Sequence, residues 1–543
     1  MSEDTMRKGP FTKRQMMKML AGTATVGLAG CTGGDDTEEG ETGDSTEPAD
    51  EPDEVSPGGT LELGVETSLQ TMDPRDYGGL VSIQTYGNLY SQILQWRQVE
   101  DGYVLEGDLA VDWGWEEDND FVVELNEDAE FSNGDPVTAE HVEYTFQSLQ
   151  DDPFLSVGGD FRLDAMEVSA IDEHTVLFDC DVHIGSLEAA LGYSLGIVHK
   201  DIDQERDIRF DPMGSGPFVL DELTDSQIVL SANENYWKTD EDGNQLPYVD
   251  EVVFNMFSER QPTVNALEQG ELDFIDTVPI FDIDRLQDNS DTKVIMGEPG
   301  GRRGIIHFNV TEAPFDDVHA RRAMLHAMNW EELTEGVWDG YAEKAGFQAT
   351  PPTLGWDNAA EDPYEGVDIE AAEAEIEQSQ YDKEDFEFTN ILRNADDEAN
   401  RAQEAILDGI QSELGIEYDF ELLDDESWRT RNADNDDYGF TLMDWSGGWD
   451  PDHFITMAWS GEFFNWGGYE NEEVDELFIE AVYSDDHEER EAMYQELNEL
   501  ILEDAGKYFA YWYPDIQGAR SNVYGIEAGL DLMTYFERVW IDE

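Results

Sequence analysis

The sequence predicts an α/β chain, on three observations: period-two strand patterns and 3.6-period helix patterns interleave from residue 58 onward, no short repeat runs through them, and the aromatic supply is ample. The 14 Trp, 26 Phe and 21 Tyr fall at strand and helix spacing, so a core can form where a disordered acidic chain would have none. Length predicts about three domains in the chain from residue 58 onward.

Taken in chain order, Leu61-Glu62-Leu63-Gly64-Val65 alternates as a strand, and Asp120 to Leu125 is a second. The turn Asn133-Gly134-Asp135-Pro136 leads into a helix capped by Thr138, with Val142, Phe146 and Leu149 on one face. Thr175 to Cys180 reads as a strand in which Cys180 packs as a small buried hydrophobe. A helix over Thr263 to Gln269 ends at Gly270, and Leu272 to Ile275 resumes as a strand. Asn471 caps a helix whose Val474, Leu477, Phe478, Ala481 and Val482 share a face. Met493, Leu497, Leu500 and Ile501 line the next helix.

Charge is the dominant compositional fact. Acidic residues number 128 against 29 basic ones, for a net charge of −99 spread along the whole chain. Such a surface repels nucleic acid and anionic membranes, so no nucleic-acid partner is expected. At low salt its self-repulsion opposes folding, but at molar salt the Debye length is about 3 Å and the repulsion is screened. The composition is that of a halophile's protein.

The first thirty residues have the layout of an export signal. Arg7, Lys8, Lys13, Arg14 and Lys18 form a basic start, and Met19 to Gly30 is a weakly apolar run. That run is twelve residues, short of the roughly 20 needed to span a bilayer. The segment Thr12-Lys13-Arg14-Gln15-Met16-Met17-Lys18 resembles a twin-arginine signal, with Lys13 in place of the first arginine and a Sec signal as the alternative. Leu28-Ala29-Gly30-Cys31 resembles a lipobox, so residues 1–30 are expected to be removed and Cys31 to carry lipid. Cleavage takes away five basic and two acidic groups and leaves a mature net charge of −102. The only other cysteine is Cys180, so no intramolecular disulfide is then possible. Residues 31–57, dominated by Glu, Asp, Thr, Gly and Pro, are expected to form a solvated tether.

The order of motifs along the mature chain resembles the family 5 extracellular solute-binding proteins of ABC importers, the dipeptide, oligopeptide and nickel-binding group. The motifs are Leu109-Ala110-Val111-Asp112-Trp113, the run Phe131 to Val142, Gly214-Ser215-Gly216-Pro217-Phe218, Asn235-Tyr236-Trp237 and Gly270-Glu271-Leu272-Asp273. Further on come Phe308-Asn309, Ala313 to Asp317, Arg321-Arg322-Ala323, Trp445-Ser446-Gly447 and Asp450-Pro451. The resemblance implies a two-lobed fold of the periplasmic-binding-protein type II with an extra third domain, its lobes discontinuous and joined by a hinge. By that resemblance lobe I takes 58–88, 205–305 and 508–543, domain II takes 89–204, and lobe III takes 306–507. The hinge is then expected through Ile306 to Asn309 and near Tyr508 to Tyr511.

For the site, the resemblance points to Trp445-Ser446-Gly447-Gly448-Trp449-Asp450 on lobe III. Its glycines admit a ligand to the backbone and its indoles supply apolar walls. The family aspartate that holds a peptide's amino group corresponds here to Gly448, which leaves Asp444 or Asp450 to take that part. On lobe I the matching segment is Gly79-Leu80-Val81-Ser82, with Val81 and Ser82 as candidate ligand contacts. Trp459, Phe463, Phe464 and Trp466 are either packing or stacking platforms for sugar rings.

Implied partners are a peptide ligand, ABC permease subunits with their cytoplasmic ATPases, and the membrane through lipid on Cys31; a monomer is expected. An oligosaccharide or a nickel complex is the alternative ligand. The nine histidines form no zinc-like cluster, with His319 and His326 seven apart and His141 inside a structural motif, and neither metal nor cofactor is expected. The sequence lacks Gly-x-Ser-x-Gly, His-Glu-x-x-His, a Walker loop and Gly-x-Gly-x-x-Gly. A binding protein is therefore expected rather than an enzyme, with an exported glycoside hydrolase as the rival of another class.

Overall fold

Seven strands drawn from distant parts of the chain make the largest sheet of the computed structural model, in the order 292–296, 516–520, 274–275, 60–66, 251–257, 227–232, 218–223. The described residues are 55–542 apart from 67–68, 77–78, 100–101, 153–154, 156, 158–160, 194, 298–301, 346–359, 395–396, 436, 447–449, 461–463 and 529–532. Cys31, the leader and nearly all of the 31–57 segment therefore lie outside them, as do Gly447, Gly448, Trp449 and Phe463.

The strand Thr60–Glu66 runs parallel to both of its neighbours, with Leu63 opposite Phe254 on one side and Phe274 on the other. The strand keeps its alternation: Leu61, Leu63 and Val65 are inaccessible on one face, while Thr60 is exposed and Glu62 and Glu66 are half-buried on the other. Gly64 lets the helix Arg260–Gln269 and its exit come close, since a Cβ there would stand 2.5 Å from Leu272. That helix ends as predicted at Gly270, whose φ of 71° suits glycine. The following strand is only Phe274–Ile275, because the residues at 270–272 turn back onto the Ala266 and Leu267 carbonyls.

A second sheet, in the order 110–115, 120–125, 175–180, 166–170, carries the helix Ala139–Asp151 on one face. Val142, Phe146 and Leu149 are buried there, as their spacing predicts. Thr138 and His141 form a reciprocal cap at its start. Cys180 is buried, and burial pushes its thiol up to about 12.

The third sheet joins 343–344, 507–513, 302–308 and 440–446 in that order, and the parallel pair 387–393 and 417–423 stands beside it. All seven residues of Lys507–Tyr513 are buried. The lobe boundaries that the resemblance implied, at 305/306 and 507/508, fall within strands of this sheet. Residues 302–305 and 508–513 pair with the third sheet, not the first, because Arg302–Phe308 hydrogen-bonds to Lys507–Tyr513 and to Phe440–Ser446 along its whole length. The chain crosses between the two sheets from Met296 to Arg302 and back from Tyr513 to Ile516, several residues outside the expected hinge positions. The two crossings touch: the Gly297 amide donates to the Asp515 carbonyl at 2.8 Å.

Three large apolar clusters sit under these sheets. The second and third regions also meet each other. The Gly185 amide donates to the Val482 carbonyl at 2.8 Å, and Ser186 donates its hydroxyl to Asp452. Arg260 of the first region reaches Glu398 of the third at 2.6 Å.

Candidate ligand-binding site

The strand Phe440–Ser446 is the edge of its sheet, and a cavity of about 270 Å³ opens along it. Leu442, Met443, Asp444 and Trp445 of that strand line the cavity, and Trp428, Phe464 and Trp466 add aromatic walls. Trp466 stands edge-on to Trp428 at 5.1 Å between ring centres, and Phe464 does the same to Trp445 at 4.8 Å. Such T-shaped contacts fix the rings as rigid walls.

Three arginines from three different elements converge on this cavity: Arg302, Arg393 and Arg429. Arg302 is the first residue of its strand; it pairs with Asp515 at 2.8 Å and lies over the Tyr513 ring. Burial opposes its charge, and Asp515 outweighs that, so the guanidinium is held above its ordinary value. Arg393 ends the strand Glu387–Arg393 and lies over Trp428 at 5.4 Å. The Asn400 side chain fixes the Arg393 backbone by accepting from its amide and donating to its carbonyl. Arg429 comes from the helix Asp425–Asp434.

The residues predicted from sequence divide between the cavity and the core. Asp444 and Trp445 line the cavity; Asp444 accepts from the Tyr511 hydroxyl at 3.0 Å, and the Trp445 indole donates to His453 at 2.8 Å. Ser446 closes the same strand. Asp450 lies off the cavity, among buried groups. Its carboxylate takes both terminal nitrogens of Arg490, at 2.8 and 3.1 Å, and accepts from the Asp452 amide at the start of the helix Pro451–Ile455. It is 3% exposed, and burial pushes its carboxyl up to about 6 against the pull of Arg490. Val81 and Ser82 do not line the cavity either; both are buried, and the Ser82 hydroxyl accepts from the Gln70 and Thr71 amides. Trp459 packs on Phe478 rather than on the cavity.

Sequence reasoning missed the three arginines and Trp428. A signal was there: with so few basic residues in the chain, each arginine is conspicuous, and Arg302-Arg303 opens a strand. Among the described residues no group of His, Cys, Asp and Glu is placed to hold a metal ion, and no helix is long and apolar enough to cross a membrane.

Discontinuous sheets crossed twice by the chain, an inserted third region and a cavity at a sheet edge are the architecture of a two-lobed solute-binding protein. The chain belongs to the bacterial extracellular solute-binding proteins, family 5, whose model matches residues 104–466. It is 26% identical over 483 residues to the probable D,D-dipeptide-binding periplasmic protein DdpA of Escherichia coli K12, covering 83% of this chain and 88% of that one. It is 25% identical to the dipeptide-binding protein DppE of Bacillus subtilis 168, over 80% and 83% of the two chains. Its fold is similar to that of the Helicobacter pylori periplasmic binding protein DppA in complex with the peptide STSA, with a TM-score of 0.77 at 21% identity over 90% and 99% of the chains.

Proposed function

We propose that this chain is the substrate-binding component of an ABC importer, held outside the cell membrane by lipid on Cys31, and that it captures peptides and hands them to a permease. The observation that carries the peptide reading is the edge strand Phe440–Ser446 beside an aromatic-walled cavity. An edge strand offers main-chain donors and acceptors to an extended ligand, and flat ring walls tolerate varied side chains. The similarity to dipeptide-binding relatives supports the same ligand class. Binding draws the lobes together as a population shift toward the closed form, with no chemistry done on the ligand. Lobe I is then 58–88, 205–296 and 516–543, and lobe III is 302–513, with the crossings between them as hinge.

The test is mass spectrometry of small molecules released from protein purified at high salt, followed by calorimetry with the peptides found. Released peptides that rebind are the expected result; a released oligosaccharide or nickel complex, with no peptide binding, removes the peptide reading. Incubation with oligosaccharides separately tests the hydrolase alternative, which requires substrate to disappear. Cys31→Ser is expected to free the protein from membranes; a variant as firmly bound as the parent removes the lipid anchor.

A further inference from the structure

One buried acid at the junction of lobe I and lobe III lacks a hydrogen-bond partner. Asp276 follows directly on the strand Phe274–Ile275, and Ile275 is level with Gly64. It therefore leaves the first sheet at the same end as Glu66, the end at which open α/β sheets take their ligands. Two ties between the lobes bracket this position. On one side Arg260 joins Glu66 of lobe I to Glu398 of lobe III, at 2.7 and 2.6 Å. On the other the chain crosses between the lobes: the Val278 amide donates to the Ile516 carbonyl at 2.8 Å, and Asp515 pairs with Arg302 at 2.8 Å. Arg302 lines the cavity and its charge acts on Asp276, which puts Asp276 beside the cavity's lobe I end. Asp276 is 5% exposed, yet among the described residues its carboxylate has neither a hydrogen-bond partner nor an ion pair.

The charges around Asp276 are spent on other groups. Arg260 divides itself between two carboxylates, and Arg302 is held by Asp515, with Tyr513 and Asp444 acting on it as well. Five acids, Glu66, Asp276, Glu398, Asp444 and Asp515, thus meet two guanidiniums, and the acid left without a hydrogen bond is Asp276. Burial pushes its carboxyl up to about 7, with Asp515 and Glu66 adding to the rise and Arg260 and Arg302 opposing it. A buried carboxylate without a donor costs free energy, and a ligand cation that donates to it recovers that cost. We infer that Asp276 receives a ligand's ammonium group at the root of the cleft while the ligand's main chain lies along Phe440–Ser446. The ligand then touches lobe I and lobe III together, and that shared contact is what favours the closed form. This rests on the reading of the cavity as a peptide site and adds the group of the ligand that lobe I recognises. Docking also moves a proton: the Asp276 carboxyl, protonated below about pH 7, releases its proton to solvent and becomes the carboxylate that accepts from the ammonium.

The experiment is calorimetry on the full mature chain in molar potassium chloride held constant, with trialanine, N-acetylated trialanine and an N-acetylated tripeptide with a central lysine. At pH 7 the expected result is a tenfold or greater preference for a peptide carrying an ammonium group over N-acetylated trialanine, and loss of that preference in Asp276→Asn. A preference that follows the free terminus identifies the terminal amino group as the partner; one that returns with the lysine peptide identifies a basic side chain. Titrations at pH 6 in buffers of different ionisation enthalpy are expected to show close to one proton released as the ammonium peptide binds and none with N-acetylated trialanine. Affinity for the ammonium peptide alone should rise more than tenfold from pH 5 to pH 7. The proton count needs no variant, so it decides the matter even if Asp276→Asn fails to fold. Equal affinity for all three peptides, a preference unchanged in Asp276→Asn, or binding without proton release overturns the inference and leaves the peptide function standing. Binding of none of the three overturns the inference together with the peptide reading beneath it.

Discussion

Asp450 and Arg490, forty positions apart, close a two-point ion pair with both side chains under 10% exposed. Arg490 also donates to the Ala481 and Gly185 carbonyls and to the Tyr494 hydroxyl, so one guanidinium ties together the start of the helix Pro451–Ile455, the end of the helix Glu472–Val482 and the inserted domain.

Removing one partner of a buried pair leaves the other charge uncompensated, at a cost of about 3 to 5 kcal/mol. Asp450→Asn is therefore expected to lower stability by an amount of that order, measured by denaturant unfolding in molar salt. Affinity ratios between free and N-acetylated peptides should not change. A normally stable Asp450→Asn that loses only its preference for free amino groups would return Asp450 to the ligand site.

A second expectation concerns salt. Like charges on a chain of net −99 are screened beyond about 3 Å at molar salt but only beyond about 10 Å at 0.1 M. The unfolding temperature is expected to fall steeply across that range. A flat profile contradicts the halophilic reading of the composition.

The third follows from Asp276, which is 5% exposed and whose carboxyl burial pushes up to about 7, with Asp515 and Glu66 adding to the rise and Arg260 and Arg302 opposing it. The folded state thus keeps a proton that the unfolded chain releases near its ordinary value. Stability from this group is present at acid pH and is lost as pH rises from about 4 to about 7. Asp276→Asn should flatten that slope and add stability on the order of 3 kcal/mol above pH 7. Parallel pH profiles for the two proteins, read by thermal unfolding, would refute the assignment.

Local signals in the sequence located the elements well where the forces are local. Thr138, Asn471 and Gly270 each cap the helix predicted for them, because a cap needs only its own turn. The cavity was half legible: Asp444 and Trp445 sit on one strand, but Arg302, Arg393 and Arg429 come from three elements that meet only through tertiary packing. Asp450 was singled out for its neighbours in sequence, Trp445 and the glycines, whereas the side chain it pairs with, Arg490, lies on another helix and has no local signal. Which sheet takes Lys507–Tyr513 was not legible for a similar reason, since it reads as one buried strand whichever sheet it joins.

The fourth expectation concerns Gly185, which lies on the contact between the inserted domain and lobe III. A Cβ there would stand 2.6 Å from Nε and 2.7 Å from Cζ of Arg490. Arg490 has little freedom to yield, being fixed by Asp450, Tyr494 and the Ala481 carbonyl. Gly185→Ala must therefore push the two regions apart and weaken the Gly185 amide bond to Val482, while leaving each apolar core intact. If this contact belongs to the closed form alone, a penalty of about 1.4 kcal/mol on closure lowers ligand affinity about tenfold. The radius of gyration from X-ray scattering should then stay large when ligand is added, with the unfolding temperature little changed. If the contact persists in the open form as well, the same substitution lowers the unfolding temperature and leaves affinity unaltered, and the hinge must open between lobe I and the other two regions moving as one body.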